Sequence, residues 1–202
     1  MPKVNLAQIW FSRFYQRFAR IRAKNPSFGV NVSKSEWTKD MMNFLEDFGK
    51  EQGYNVRRER LTIDQVWEST TKERVAVEHE NAPDDVLKKE LPNLMGVASD
   101  LKVLITYVRD YMFPWEPQIL SEKIMKRIDA KYNDQCKEFL FIVGTKSPTK
   151  KGQVKRTFME REIDWFARRF FVGGIKSEIL IPSSSLRARK AWKSRKKEKE
   201  EP

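Results

Sequence analysis

The sequence predicts an α/β protein with a central mixed β-sheet flanked by helices. Two observations support this fold class: stretches with helical spacing alternate with short β-branched runs, and a hydrophobic content of 40% is sufficient for a core. A chain of 202 residues fits one ordinary domain. We place this domain at residues 1–182, with its core at about 33–145, and predict a basic, flexible tail over 183–202.

Two amphipathic helices are predicted at the N-terminus. Apolar residues recur at helical spacing from Leu6 to Lys24, and arginines line the polar side of this extra N-terminal helix. The helix could lie on DNA or on a membrane surface, but packing across the core is the preferred interpretation. Ser33 and Glu36 form an S-x-x-E capping box that opens the second helix, which ends at Gly53.

Strands and helices alternate over the rest of the chain. A helix over 84–94, perturbed by Pro92, lies between two strands that should therefore be parallel. A further helix covers 117–132, the stretch 154–171 is ambiguous between helix and strand, and a short strand is expected at 178–181. The other predicted strands are 54–59, 61–67, 74–80, 101–108 and 138–145.

The charge of the chain indicates an anionic partner. The net charge is +12, and the tail holds eight basic and three acidic residues, so +5 belongs to the tail and +7 to the remainder. Nucleic acid is the leading partner, DNA ahead of RNA, and an anionic membrane is the alternative. With no bilayer-spanning apolar window and no signal peptide, we expect a soluble, cytoplasmic protein. A single cysteine and a single histidine exclude zinc fingers.

Three carboxylates form the candidate site. Strand alternation places Glu78 and Glu80 on one face and His79 on the other, and a hairpin could bring Asp64 beside the glutamates. Clustered like charges require a cation or raised pKa values, and Mg²⁺ prefers such hard oxygen ligands, with Mn²⁺ as an alternative. The competing interpretation is a solvated charged face of a sheet. The buried run Val75–Val77, which becomes acidic only at its C-terminal end, favours the metal site.

These elements resemble the PD-(D/E)XK, or restriction-endonuclease-like, nuclease superfamily in its E-x-E variant. The resemblance covers about residues 33–108 and includes the helix–strand–strand–strand–helix–strand order. It implies Mg²⁺-dependent endonuclease cleavage of DNA in which Asp64 and Glu78 match the two acidic ligands of the motif. Glu80 stands where the family usually has lysine, and the family often adds an acid from the preceding helix, for which Glu36 is our choice. The catalytic residues implied are thus Asp64, Glu78, Glu80 and Glu36, and the metal ligands Asp64, Glu78 and Glu80.

Two other functions are compatible with the sequence. A protein that keeps the nuclease fold but only binds nucleic acid would explain the missing motif lysine and the basic charge. A membrane-surface or protein-interaction module would explain the basic aromatic helix, but not the carboxylates. Cleavage of both strands of a duplex would also favour a homodimer, because it requires two sites related by a two-fold axis.

Overall fold

The computed structural model describes most of the chain, and the fold is built from these parts. The described residues are 5–25, 28, 33–60, 63–70, 74–108, 117–131, 136–146, 163–171 and 176–180. The helical elements are α1 (Leu6–Lys24), α2 (Lys34–Glu51), α3 (Pro83–Asp85), a π-helical turn (Val86–Glu90), α4 (Leu91–Met95) and α5 (Pro117–Lys131). The strands are β1 (Asn55–Arg60), β2 (Ile63–Glu68), β3 (Arg74–Glu80), β4 (Ser99–Val108), β5 (Cys136–Lys146), β6 (Ile163–Phe171) and β7 (Lys176–Leu180).

The described strands form one mixed sheet in which spatial order follows chain order, β1 to β7. The pairs β3–β4 and β4–β5 are parallel, and all other neighbouring strands are antiparallel. The α/β class and the parallel crossover between β3 and β4 are therefore confirmed. The ambiguous stretch 154–171 contains a strand from Ile163, while the preceding residues, 154–162, lie outside the described ranges.

Helices cover both faces of the sheet. On one face, α1 and α2 bury an aromatic-rich core against the sheet, and we call this the α1–α2 face. On the other face, α4 and α5 pack with Val66 and Ala76 of the sheet, and we call this the α4–α5 face. The layers are thus helix, sheet and helix, the arrangement expected when parallel strands are buried on both sides.

Helix α1 belongs to the core. Trp10, Phe14 and Phe18 are buried, and Phe14 and Phe18 each meet the Trp165 ring edge-to-face at 5.1 and 5.0 Å between centroids. On the polar side, the Arg17 guanidinium pairs with Glu51 at 2.8 Å. The core-packing interpretation is confirmed, and the apolar side of α1 is not available to a membrane surface.

Proline explains the irregular helix between β3 and β4. Pro92 has no N–H, and its ring clashes with the carbonyl four residues earlier, so a regular α-helix cannot continue through it. The Leu91 N–H instead bonds to the Val86 carbonyl, five residues back, which makes the turn Val86–Glu90 π-helical. The perturbation predicted at Pro92 is confirmed, and it falls on the turn that precedes the proline.

Some predictions fall outside the described residues, including the basic tail over 183–202. Among the helices of the described ranges, none is long and apolar enough to cross a membrane.

Candidate acidic site

The antiparallel pairing of β2 and β3 brings Asp64 and Glu78 together. Gln65 pairs with Val77 and Val66 with Ala76, so the next position along each strand sets Asp64 beside Glu78. Both residues share the strand face of Val66 and Ala76, which are buried in the α4–α5 core. Strand alternation therefore places the two carboxylates on the same face, as the sequence predicts.

At Asp64 and Glu78, backbone N–H groups of β2 and β3 donate hydrogen bonds to side-chain carboxylates of the neighbouring strand. The Asp64 N–H donates to Glu78 Oε2 at 3.4 Å, and the His79 N–H donates to Asp64 Oδ2 at 2.8 Å. Glu78 is only 2% exposed, and its Oε1 atom is buried without a hydrogen-bond partner. Because burying a carboxylate oxygen without compensation is costly, a bound proton or cation would stabilise Glu78 at this atom.

Burial and like charges disfavour ionisation of both carboxyls. Burial, reinforced by the charges of Asp64 and Glu90, raises the pKa of Glu78 to about 10. Burial also raises the pKa of Asp64, and the charges of Glu80 and Glu59 add to the effect. At a pH where ordinary carboxyls are ionised, a pair of this kind binds either a proton or a cation.

Glu80 lies on the predicted face, and one of its carboxylate oxygens is bonded to the backbone that follows β3. Its Oε1 accepts from the Ala82 N–H at 2.6 Å, which ties the side chain to the start of α3. Among the described residues, no three His, Cys, Asp or Glu side chains are arranged to hold a metal ion. Of the predicted trio, Asp64 and Glu78 are thus in contact, and Glu80 contributes its charge from nearby.

The structure does not bring Glu36 into the acidic site. Glu36 is exposed, and its Oε2 accepts from the Ser33 N–H at 2.7 Å while the Glu36 N–H donates to Ser33 Oγ at 3.2 Å. These bonds form the predicted capping box, and the bond from the Ser33 N–H lowers the pKa of Glu36. Helix α2 packs on the α1–α2 face, so the structure shows Glu36 as a helix cap, and its catalytic role stays a prediction.

His79 has the structural role that its strand parity predicts. Its side chain lies on the α1–α2 face, where Nε2 and the Tyr107 hydroxyl are 3.0 Å apart. Burial lowers its pKa to about 4, so the imidazole is neutral at physiological pH. Its connection to the acidic pair is through the backbone N–H that orients Asp64.

Sequence patterns do not reveal two further acidic residues near the pair. Glu90 ends the π-helical turn, is half-buried, and has a pKa raised by burial and by the charges of Glu80 and Asp64. Glu59 lies across from Asp64 in the β1–β2 register and has a left-handed φ of 49°. A non-glycine residue in that conformation is strained, a feature often found beside functional sites. Pro92, two residues after Glu90, is the only sequence signal for the altered turn.

One lysine on the face of the acidic pair is buried, and two on the π-helical turn are exposed. Lys102 pairs in register with Ala76, on the same face as Glu78, and is fully buried. Its Nζ donates to the Val97 carbonyl and, at 3.2 Å, to Ser99 Oγ, near the N-terminal end of β4. Lys88 and Lys89 on the π-helical turn are exposed.

No protein-family model matches this chain, and no curated protein matches it either. The function is therefore inferred from the chemistry of the acidic residues and the fold that positions them.

Proposed function

We propose that this protein is a metal-dependent nuclease that hydrolyses phosphodiester bonds in nucleic acid, DNA ahead of RNA, at the Asp64–Glu78 pair. One observation carries the proposal: Asp64 and Glu78 are adjacent on neighbouring strands, where the Asp64 N–H donates to Glu78 Oε2, and Glu78 Oε1 is buried without a partner. A divalent cation compensates both charges at once. In a chain of net charge +12, a phosphate-bearing substrate is the natural partner of such a site.

The donor set fits Mg²⁺, with Mn²⁺ as an alternative. Asp64 and Glu78 would hold the ion, because both present hard carboxylate oxygens and Mg²⁺ usually needs only one or two carboxylates beside water and substrate phosphate. When bound, the cation would stabilise charge on the phosphate and lower the pKa of the attacking water. The His79 N–H, bonded to Asp64 Oδ2, fixes the orientation of that carboxylate.

The order of elements supports a restriction-endonuclease-like core. Helix α2, the three strands β1–β3, the helical segment from α3 to α4, and β4 follow one another as the PD-(D/E)XK resemblance requires. Asp64 is on the second of these strands and Glu78 on the third, and the resemblance assigns the family's two acidic ligands to these strands.

Exposed basic residues provide a surface for nucleic acid on the side of the sheet that holds the acidic pair. Lys88 projects from the π-helical turn, and Lys126 and Arg127 project from α5, which packs on the α4–α5 face. Phosphate contacts by such side chains give affinity without reading base sequence.

A non-catalytic nucleic-acid-binding protein is the second candidate. The observation that favours it is the replacement of the motif lysine by Glu80, whose carboxylate is bonded to the Ala82 N–H. The basic surface would then bind nucleic acid, while the carboxylates would share a proton.

Cleavage assays with isosteric variants test the proposal. Labelled duplex, branched and single-stranded DNA, together with RNA, are incubated with the wild type, Asp64→Asn, Glu78→Gln and the control Glu122→Gln, which alters an exposed carboxylate on α5. We expect cleavage in Mg²⁺ or Mn²⁺ but not in EDTA, with a loss of about 100-fold or more in both site variants and none in the control.

The other outcomes separate the two candidates. Binding without cleavage on every substrate would support the non-catalytic role. Cleavage that persists in Asp64→Asn and Glu78→Gln would show that the acidic pair is not the catalytic site.

A further inference from the structure

The π-helical turn fixes Glu90 on the same side of the sheet as the acidic pair. The turn contacts β3, and the residues at either side of its charged segment, Val86 and Leu91, are fully buried with Ala76 of β3 in the α4–α5 core. Glu90 itself is half-buried. Its backbone position is therefore set by packing on the strand that carries Glu78.

A second observation concerns Glu78 of the acidic pair. Glu78 is 2% exposed, and its Oε1 atom has no hydrogen-bond partner. The third carboxylate predicted from the sequence, Glu80, is bonded through Oε1 to the Ala82 N–H. Glu80 keeps its charge in this bond, and a divalent cation at the pair would still gain from a further carboxylate on a different element.

We propose that Glu90 supplies this further charge and is a positioning residue of the cation site, in addition to Glu80. The inference depends on the cation site in the proposed function but not on cleavage. The role proposed for Glu90 is that of a water-mediated partner of the cation, because Mg²⁺ and Mn²⁺ sites usually keep several waters that neighbouring carboxylates can orient.

Charge interactions connect Glu90 with the acidic pair. Burial raises the pKa of Glu90, and the charges of Glu80, Asp64 and Asp85 add to it, whereas Lys89 lowers it. The Glu90 charge in turn raises the pKa of Glu78. A cation at the pair would relieve these repulsions together.

Titration with Mn²⁺ alone, in the full-length protein, tests the inference. The proteins are the wild type, Glu90→Gln, Glu90→Asp, Glu80→Gln and Asp84→Asn, the last an exposed carboxylate on the same helical segment. We expect Glu90→Gln to weaken Mn²⁺ binding about tenfold or more, as loss of a water-mediated partner does, and Glu90→Asp to restore part of it. Asp84→Asn should bind as the wild type does, and Glu80→Gln should lose less than Glu90→Gln.

Melting temperature gives a second readout that a merely structural role would not produce. In EDTA, Glu90→Gln should melt higher than the wild type, because it removes a like charge, whereas its gain from Mn²⁺ should be smaller. Unchanged Mn²⁺ affinity in Glu90→Gln would overturn the inference. If the wild type binds no Mn²⁺, the cation site and this inference both fail. If it binds Mn²⁺ in a Glu90-dependent way but cleaves nothing, only the nuclease proposal fails.

Discussion

At the scale of single residues, Glu78 is the group whose surroundings are least compatible with its charge. It stands on a strand buried on both faces, beside a second carboxylate, and one of its oxygens has no partner. Two ionised glutamates at the surface would tolerate each other because water screens their charges. Burial removes that screening. The folded protein without a cation therefore keeps a proton on this pair.

Stability of the cation-free protein should depend on pH through Glu78. Its pKa is about 10 in the folded state against 4.5 ordinarily, so between these values the folded protein binds a proton that the unfolded chain has lost. The associated stability is fully present below the lower value and is lost as pH rises toward the upper one. In EDTA, we expect urea unfolding between about pH 5 and 8 to show a loss of about 1 kcal/mol per pH unit that is smaller in Glu78→Gln.

Glu122→Gln on α5 is the matched control, since this carboxylate is exposed. It should follow the wild-type dependence on pH. A Glu78→Gln variant that also follows it would mean that Glu78 is ionised in the folded protein, and the description of the pair would be wrong.

Residue-level prediction from the sequence succeeds where backbone parity decides and fails where rotamers decide. Alternation along β3 places Glu78 and Glu80 on one face and His79 on the other, and the hairpin adds Asp64. The bond between Glu80 Oε1 and the Ala82 N–H is a choice of side-chain torsion, which no spacing encodes. The capping box of Glu36 is confirmed. The sequence alone could not distinguish a glutamate that only caps the helix from one that also reaches a catalytic site.

At the scale of elements, the π-helical turn shows how one proline changes which residues face a site. The helix over 84–94 is predictable from its sequence, yet a regular period of 3.6 gives the wrong phase beyond Val86. Because the turn is widened by one residue, Glu90 could not be assigned to the acidic side in advance. Helix α1, in contrast, has regular periodicity, and its bounds Leu6–Lys24 coincide with the prediction.

Close packing of α2 against the sheet gives an element-scale prediction at Gly49. A Cβ at this position would lie 2.5 Å from Val56 Cγ2 and 3.0 Å from Trp67 Cδ2. Alanine favours an isolated helix over glycine by about 1 kcal/mol, but here the overlap should dominate. We expect Gly49→Ala to lower the free energy of unfolding by about 1 to 3 kcal/mol in urea denaturation.

Lys39→Ala is the comparison, because Lys39 is exposed on the same helix. Its effect should stay within about 0.5 kcal/mol. A Gly49→Ala variant as stable as the wild type would show that α2 can move away from β1 and β2 at little cost.

At the scale of the whole molecule, the topology was largely predictable because helices separate the parallel strands. Strand β6 could not be predicted with certainty from the sequence, because the adjacent Arg168 and Arg169 interrupt the alternation of polar and apolar residues. Arg169 is nevertheless buried, and it pairs with Glu138 of β5 at 2.7 Å. The partner that makes this burial acceptable lies 31 positions away in the sequence, so a local window cannot detect it.

Basic residues on the two sides of the sheet should contribute unequally to nucleic-acid binding. We compare a double variant on α5, Lys126→Gln with Arg127→Gln, and one on α1, Arg20→Gln with Lys24→Gln; all four side chains are exposed. Fluorescence anisotropy with duplex DNA over a range of salt should give weaker binding for the α5 variant, with a log–log salt slope lower by about 2. The α1 variant should keep the wild-type slope. Equal losses would place the nucleic acid elsewhere.

Calorimetric titration of Mn²⁺ into the wild type and Glu78→Gln at about pH 7.5 tests the proposal that Asp64 and Glu78 together hold a divalent cation. We expect the wild type to bind Mn²⁺ and Glu78→Gln to lose this binding, with the variant folded and at least as stable as the wild type in EDTA. Mn²⁺ binding of equal affinity in both proteins, or in neither, would contradict the proposal.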